Sequence, residues 1–136
     1  MIWQKEITLP VYNKGMHLIT NTITGNLIQL PAQGLFNIFL THTSAGIIIN
    51  ENADPSVGKD MEAFISKLIP ENIGYFTHVL EGKDDMPAHI KSSLFGQSLT
   101  IPIVNGRLAL GTWQGIFLYE FRKNGGKRRL ILTVYS

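Results

Sequence analysis

The clearest periodic segment of the chain runs from about residue 55 to residue 69. Apolar side chains recur there at steps of three and four, which is the spacing of one face of a helix. Asp54 precedes the segment as a natural N-cap, Pro55 suits the first helical position, and Pro70 stops the pattern. We therefore predict an amphipathic helix over 55–69 whose apolar stripe packs on a sheet. The stripe consists of Val57, Met61, Phe64, Ile65 and Leu68.

The segments before this helix are typical of β-strands. Residues 2–10 alternate, with Ile7 and Leu9 on one face. Ile47-Ile48-Ile49 is apolar on both faces, so we expect a strand buried between two layers. Two further β-rich runs cover 16–19 and 34–42.

A helix is predicted between the early strands, over about 20–30. Its apolar residues Ile23, Leu27 and Leu30 fall at helical spacing, and Thr20 or Asn21 can cap it. Gly25 weakens the pattern, because glycine is unfavourable in the middle of a helix.

The C-terminal part of the chain predicts an antiparallel meander. Asn105-Gly106 separates strands over 98–104 and 107–110 and is a strong two-residue hairpin signal. Further strands are predicted over 116–122 and 130–135. Early helices followed by antiparallel strands favour an α+β fold, and the length of 136 residues favours one domain over 1–136.

Composition narrows the classes of function. The chain has no cysteine, so a metal site would need histidine and carboxylate ligands. The formal charge of only +2, without a basic stripe interleaved with aromatic residues, argues against nucleic-acid binding. No apolar run is long enough to cross a membrane, and the first residues lack the pattern of a signal peptide. We therefore expect a cytoplasmic protein with no membrane partner.

The stretch from His78 to Gly96 concentrates polar chemistry in a chain that is otherwise poor in charge. A helix is expected after Asp84-Asp85-Met86-Pro87, with the carboxylates near its start and Gly96 at its end. Asp85 and His89 would lie one turn apart, and His78 could fold back beside them. Together, and with His42 as a further member, they could hold a divalent metal or act as acid and base. The structural alternative is a capped surface helix with a solvated histidine.

A second set of candidates could bind an anion. Cationic and hydroxyl donors of this kind suit a phosphate group, although Arg129 could instead only balance a hairpin. The alternative for Arg122, Arg128 and Arg129 is a solvated basic hairpin. The candidate donors are Lys91, Ser92, Ser93, Thr112, Gln114, Arg122 and Arg129.

Polar residues also mark the ends of the predicted strands over 35–42 and 46–51. His42 could be catalytic or a structural histidine, and Glu51 and Asn52 could be functional or only approach the next helix. If the two strands form a simple hairpin, Glu51 lies roughly 15 Å from His42, at about 3.3 Å per residue. The two could then share a site only across a subunit boundary.

Taken together, these residues resemble the YjbQ-like family, also called the secondary thiamine-phosphate synthase family. The matching motifs follow one another in order along nearly the whole chain and depart from the family pattern at Val79-Leu80. They are His42-Thr43-Ser44-Ala45, Asn50-Glu51-Asn52 with Asp54-Pro55, Asp60-Met61, His78, Glu81-Gly82, Asp84-Asp85-Met86-Pro87, His89-Ile90-Lys91-Ser92-Ser93, Gly111-Thr112-Trp113-Gln114-Gly115, Glu120 and Arg122.

The resemblance implies a compact α+β domain with folded antiparallel sheets in a sandwich, assembling as a cytosolic homotrimer. It also implies a weak thiamine-phosphate synthase activity, which joins a pyrimidine pyrophosphate to a thiazole phosphate and releases pyrophosphate. One hypothesis is therefore an enzyme that acts on a phosphorylated small molecule with a divalent ion, Mg or Zn. The alternatives are a non-catalytic trimer that binds a metal or an anionic metabolite, and a metal-assisted hydrolase.

Overall fold

The computed structural model describes residues 1–136 and contains eight strands and three helices. The mixed α+β class predicted from the sequence is confirmed. None of the helices has the length and apolar character needed to span a bilayer. In chain order the elements are β1 Ile2–Thr8, β2 Gly15–Leu18, α1 Thr20–Gly25, β3 Gln33–Leu40, β4 Ala45–Glu51, α2 Pro55–Leu68, α3 Asp85–Phe95, β5 Ser98–Val104, β6 Arg107–Leu108, β7 Gln114–Glu120 and β8 Arg129–Tyr135.

The strands form two antiparallel sheets that pack face to face. The larger sheet has the order β1-β8-β3-β5-β6 and the smaller one β2-β7-β4. The smaller sheet is the middle layer, because Ile47 and Leu118 face the larger sheet while Ile48 and Phe117 face the helices. The prediction that Ile47-Ile48-Ile49 is buried between two layers is therefore confirmed.

The strands before and after residues 41–44 belong to different sheets. β3 pairs with β5 and β8, whereas β4 pairs with β7. The simple hairpin considered for 35–42 and 46–51 is therefore wrong. β3 buries only alternate residues, as in an outer layer, whereas the apolar run of β4 suits the layer that is covered on both sides. Residues 41–44 cross between the sheets.

Helix α2 confirms the strongest local prediction but not its whole apolar stripe. The carboxylate of Asp54 accepts a hydrogen bond from Ser56 N at 2.9 Å, as expected for an N-cap. Ile65 is buried, yet Phe64 is 66% and Leu68 61% exposed. The predicted packing of those two residues on a sheet is wrong, because α2 lies along the edge strand β2 and covers it with one narrow side.

Helix α1 is shorter than predicted and ends at Gly25 rather than near residue 30. The side chain of Asn26 donates to Thr22 O at 2.8 Å and so satisfies a carbonyl at the helix end. Leu27 and Leu30 pack against the main core from an irregular segment instead. Helical spacing of apolar residues therefore did not distinguish a helix from a loop that covers the core.

The hairpin between β5 and β6 forms as predicted. Asn105 and Gly106 both have positive φ, at 50° and 74°. These values are those of a type I′ turn, whose twist matches the flanking strands.

Candidate functional site

Helix α3 packs on β4 beside the crossing segment 41–44 and carries the predicted stretch. It ends at Gly96, whose φ of 91° is readily adopted only by glycine. Asp84 precedes the helix but makes no side-chain capping bond. Its carboxylate accepts instead from Lys123 N at 2.9 Å, so the interpretation of Asp84 as a capping residue is wrong, whereas Asp85 lies in the first turn as predicted.

The side chains of His78, Asp85 and His89 converge, as the helical spacing predicts. Asp85 Oδ2 lies 2.6 Å from His78 Nε2 and 3.1 Å from His89 Nε2. The three potential ligand atoms all lie within 4.8 Å of one another. The convergence is confirmed, whereas a role in metal binding or catalysis stays a prediction.

Both ring nitrogens of His89 face oxygen atoms that accept hydrogen bonds. His89 Nδ1 lies 2.8 Å from the carbonyl oxygen of Thr43, which can only accept, so Nδ1 carries a proton. His89 Nε2 faces the Asp85 carboxylate at 3.1 Å. A neutral imidazole has one ring proton and cannot donate to both atoms. The arrangement therefore calls for either an imidazolium or a bound cation next to Nε2.

Asp85 is buried and ionised. Burial by itself raises the pKa of this carboxyl, but the hydrogen bond from His78 and the charges of His89 and Arg122 outweigh it and hold the pKa below its usual value. Arg122 Nη1 lies 3.2 Å from Asp85 Oδ1, and its Nη2 donates to Glu81 O at 2.7 Å. Arg122 is thus a neighbour of the histidines that keeps Oδ2 turned toward them.

His42 does not join this group. Its Nε2 accepts a hydrogen bond from Arg129 N at 2.8 Å, so that atom is not free to bind a metal. Burial and the nearby charges of Arg128 and Arg129 lower the pKa of His42, which favours the neutral ring. His42 instead faces His89 across a surface cavity of about 590 Å³ that both residues line.

The predicted anion-binding residues on α3 point in different directions. Lys91 is fully buried, with Nζ 5.9 Å from the centre of the Phe121 ring, and it does not reach the cavity. Burial and the neighbouring charge of Lys14 lower the pKa of Lys91. The Ser92 hydroxyl donates to Ala45 O at 2.7 Å and is also buried. Only Ser93 is exposed at the cavity.

The other predicted anion-binding residues lie apart from one another. Gln114 begins β7, while Arg122 follows its end, so they are separated by more than about 20 Å of strand at 3.3 Å per residue. Thr112 lies beside Gln114, and Arg129 extends to Glu6, 3.4 Å away on the surface. These residues therefore do not form one cluster within a single chain, and anion binding by any of them stays a prediction.

Glu51 and Asn52 lie at the far end of the smaller sheet, beside Gln114. Glu51 Oε2 accepts from Asp54 N at 3.3 Å, and the Asn52 amide donates to Gln114 O at 3.3 Å. A larger cavity of about 670 Å³ adjoins them. No histidine lines it, so we place the candidate site at the smaller cavity beside His89.

A buried ion pair stands where the sequence suggested a solvated basic hairpin. Arg128 is 4% exposed, and its Nη2 and Nε donate to Glu120 at 2.6 and 2.7 Å. The solvated-hairpin alternative is therefore wrong for Arg128. A signal was present, because Glu120 shares the inward face of β7 with Ile116 and Leu118, where a carboxylate needs a buried partner.

Comparison with known proteins identifies the family. The family model described as "UPF0047 protein YjbQ-like" matches residues 5–136. The UPF0047 proteins YjbQ of Salmonella typhimurium and Escherichia coli O157:H7 are 51% and 48% identical, and each alignment covers 98% of both chains. A crystal structure of an uncharacterized yjbq/upf0047 family protein from Clostridium acetobutylicum is 39% identical. It covers 96% of this chain and 98% of its own, with a TM-score of 0.80. The chain therefore belongs to the YjbQ-like UPF0047 family.

Proposed function

We propose that the protein is a metal-dependent enzyme acting on a phosphorylated small molecule, with one divalent ion held by His78, Asp85 and His89. The observation that carries this proposal is the environment of His89. Its Nδ1 proton is committed to Thr43 O, which leaves Nε2 with a lone pair directed at a carboxylate. A metal-bound histidine commonly has its second nitrogen fixed by a backbone carbonyl in this way.

The donor set favours zinc over magnesium. Two imidazole nitrogens and one carboxylate oxygen form a three-residue set of the kind found in catalytic zinc sites. Magnesium prefers oxygen ligands only. The local charge is also suitable, because Asp84 and Asp85 place two negative charges against the single positive charge of Arg122. A zinc ion there would supply Lewis acidity toward a phosphoryl oxygen.

The cavity beside His89 is the proposed substrate site. Its volume of about 590 Å³ suits a small metabolite. Of the hydroxyl residues that line it, Thr43 can donate directly to a phosphate, and neutral His42 can donate from Nδ1. The hydroxyls of Ser93 and Thr41 donate to His89 O at 3.0 Å and Arg129 O at 3.3 Å, so they would have to rotate to contact the anion. These donors replace the buried Lys91 in the proposed contacts to the anion.

We further propose a reaction in which phosphate or pyrophosphate leaves the substrate, either displaced by a second substrate or released by hydrolysis. The thiamine-phosphate synthase-like reaction implied by the family resemblance is one candidate. In that reaction pyrophosphate leaves the pyrimidine as the thiazole nitrogen bonds to its methylene carbon. His42 and the hydroxyl groups would stabilise the leaving pyrophosphate by hydrogen bonds. The residues that line the cavity would hold the two substrates close to each other.

The same contacts support a metal-free alternative. A separation of 2.6 Å between His78 Nε2 and Asp85 Oδ2 is that of a strong charge-assisted hydrogen bond. Asp85 also lies 3.1 Å from His89 Nε2 and would then stabilise a protonated His89, which would act as a general acid. A protein that binds a metal or an anionic metabolite without turnover is the third reading of the same site.

We also propose a homotrimer in the cytoplasm. The buried strand residues Ile47, Ile48, Ile101 and Ile103 belong to the chain's own core and cannot supply the interface. Leu35, Phe39 and Val104 are instead about half exposed on the outer face of the larger sheet. Apolar surface of this kind is common at interfaces between subunits. A monomeric mass by light scattering at micromolar concentration would contradict the trimer.

Metal analysis of the purified protein tests the proposed site. We expect about one zinc per chain after dialysis, and a His89→Ala variant that loses the ion while its thermal melt stays cooperative. His17→Ala is the matched control. His17 lies in β2, contacts Asn13 O and stacks on Tyr12, so its removal should leave the metal content unchanged.

Turnover assays separate the readings of the site. Phosphorylated substrates, including the pyrimidine pyrophosphate and thiazole phosphate pair, would be followed by phosphorus NMR. Metal with turnover supports the proposed enzyme, and metal with saturable binding but no turnover supports the binding protein. Turnover that depends on His89 without any metal supports acid–base chemistry. If His89→Ala changes neither metal content, ligand binding nor turnover, the site is structural and the proposal is wrong.

A further inference from the structure

The ion pair between Glu120 and Arg128 is placed directly behind the candidate site. Glu120 is fully buried and Arg128 nearly so, and two short hydrogen bonds join them. Burying two charges is costly and seldom stabilises a fold more than apolar residues of the same size would. A pair of this kind between the two sheets therefore suggests a role beyond packing.

Arg128 connects this pair to the segment that holds His89. Its Nη2 donates to Ser44 Oγ at 2.9 Å and to Ser44 O at 3.2 Å. The preceding residue, Thr43, presents the carbonyl oxygen that accepts from His89 Nδ1. The guanidinium thus anchors the carbonyl group of Ser44. The carbonyl group of the preceding residue, Thr43, is the one that places a proton of His89 on Nδ1.

The next residue along the chain acts on the second histidine of the cavity. Arg129 N donates to His42 Nε2 at 2.8 Å, so the proton of neutral His42 lies on Nδ1. The Arg128 carbonyl accepts from Leu9 N at 2.7 Å and its guanidinium is held by Glu120, so both the main chain and the side chain of Arg128 are fixed next to that amide. Two neighbouring residues at the start of β8 therefore control the tautomers of both histidines that line the cavity.

The other anchors of the segment cannot replace this contact. Thr41 N donates to Arg129 O at 3.2 Å, and the Ser92 hydroxyl holds Ala45 O at 2.7 Å. These bonds fix the two ends of the segment 41–45. Ser44 lies between these two ends and is held only by the guanidinium of Arg128. The guanidinium donates to both the hydroxyl and the carbonyl of Ser44.

We propose that Arg128, held by Glu120, is a positioning residue that fixes the tautomers and ring orientations of His42 and His89. The pair keeps a proton of His89 on Nδ1 against Thr43 O, which leaves Nε2 as the atom that can bind a cation, and it keeps the proton of neutral His42 on Nδ1, away from Arg129. As a contribution to metal and phosphate binding, this inference rests on the proposed function. The Nδ1 hydrogen bond of His89 and the tautomer of His42 do not depend on that function.

The test compares variants that change the pair in different ways. A double variant, Glu120→Gln with Arg128→Met, removes both charges, so that neither is left buried and unpaired. Arg128→Lys keeps the charge but loses the planar fork that contacts Glu120 and Ser44 together. Arg129→Met is the matched control, because the Arg129 side chain lies on the surface near Glu6 while its backbone amide remains.

Imidazole nitrogen NMR of the chelator-treated protein reports the tautomers without metal or substrate. We expect the double variant to lose the hydrogen-bonded Nδ1 proton signal of His89 and to show mixed tautomers at His42. A smaller change is expected in Arg128→Lys, and parent spectra in Arg129→Met. Zinc titration should show affinity weakened about 10- to 100-fold in the double variant, as for other groups that orient a metal ligand.

Unchanged tautomers in a folded double variant would overturn the proposal. If that variant does not fold, the same result in Arg128→Lys would overturn it, because the lost fork should still release Ser44. Shifted tautomers in a protein whose parent binds no zinc would support the positioning role. That outcome would count only against the proposed metal.

Discussion

Replacing Asp85 by asparagine should destabilise the protein strongly at neutral pH and hardly at all in acid. The side chain of Asp85 is 6% exposed, accepts from His78 at 2.6 Å and lies 3.2 Å from Arg122. Losing one partner of a buried ion pair costs about 3–5 kcal/mol. The partners here are 47% and 21% exposed, so solvent would replace part of the lost interaction. We expect a loss of about 2–4 kcal/mol at pH 7.

The sign of the pH dependence follows from the lowered pKa of Asp85 in the folded state. The stabilisation is fully present above the unfolded pKa of about 3.9 and is lost as pH falls through the lower folded pKa. The difference between the parent and Asp85→Asn should therefore shrink below about pH 4.

Urea unfolding in the presence of a chelator measures this difference at pH 7 and in acid, without a metal contribution. Asp60→Asn is the control. Asp60 is an exposed carboxylate on α2, so its replacement should change the free energy of unfolding by less than about 0.5 kcal/mol. A loss below about 0.5 kcal/mol for Asp85→Asn at pH 7 would refute the reasoning. So would a loss of equal size at both pH values.

Three further predictions concern stability. Ile65→Ala should cost about 2–5 kcal/mol in urea unfolding, whereas Leu68→Ala, at an exposed position, should change stability by less than about 0.5 kcal/mol in the isolated chain. Equal losses would contradict the observed orientation of α2. Lys91→Met should leave the melting temperature equal or higher, because it removes a buried amine that lies against Phe121. Any rise in melting temperature caused by phosphate should be the same in this variant as in the parent. Loss of that rise would show that Lys91 contributes to the anion site. Gly115→Ala should lower the melting temperature, because a Cβ there would lie 2.6 Å from Leu18 Cδ1 and 2.8 Å from Asn52 Cβ. An unchanged melt would show that Leu18 and Asn52 can move aside without cost.

Local spacing predicted the core of the candidate site. Asp85 and His89 lie four residues apart, which places them on one edge of any helix that contains both. The nearby Glu81-Gly82 connection allowed His78 to return to that edge. Neither argument depends on the rest of the fold, so both could be made from residue order alone.

The grouping of the anion-binding residues failed because it used closeness in sequence and composition. Lys91 and Ser92 are neighbours of Ser93, yet a helix turns each successive side chain by about 100°. Lys91 is therefore buried away from the cavity, Ser92 lines the cavity but is itself buried, and only Ser93 is exposed there. Thr112 and Arg122 lie at opposite ends of one strand, which no local pattern reveals before the strand itself is known.

The sequence by itself determined the α+β class, helix α2 with its Asp54 cap, the Asn105-Gly106 hairpin and the pairing of Asp85 with His89. Each depends on residues within a few positions of one another, where backbone geometry is set locally. Only the tertiary structure decided that β3 and β4 belong to different sheets. Because the segment between them crosses from one sheet to the other, Thr43 O contacts His89 and Ser44 contacts Arg128. Contacts across 46 and 84 residues depend on how two sheets stack, and that follows from burying all the apolar faces at once.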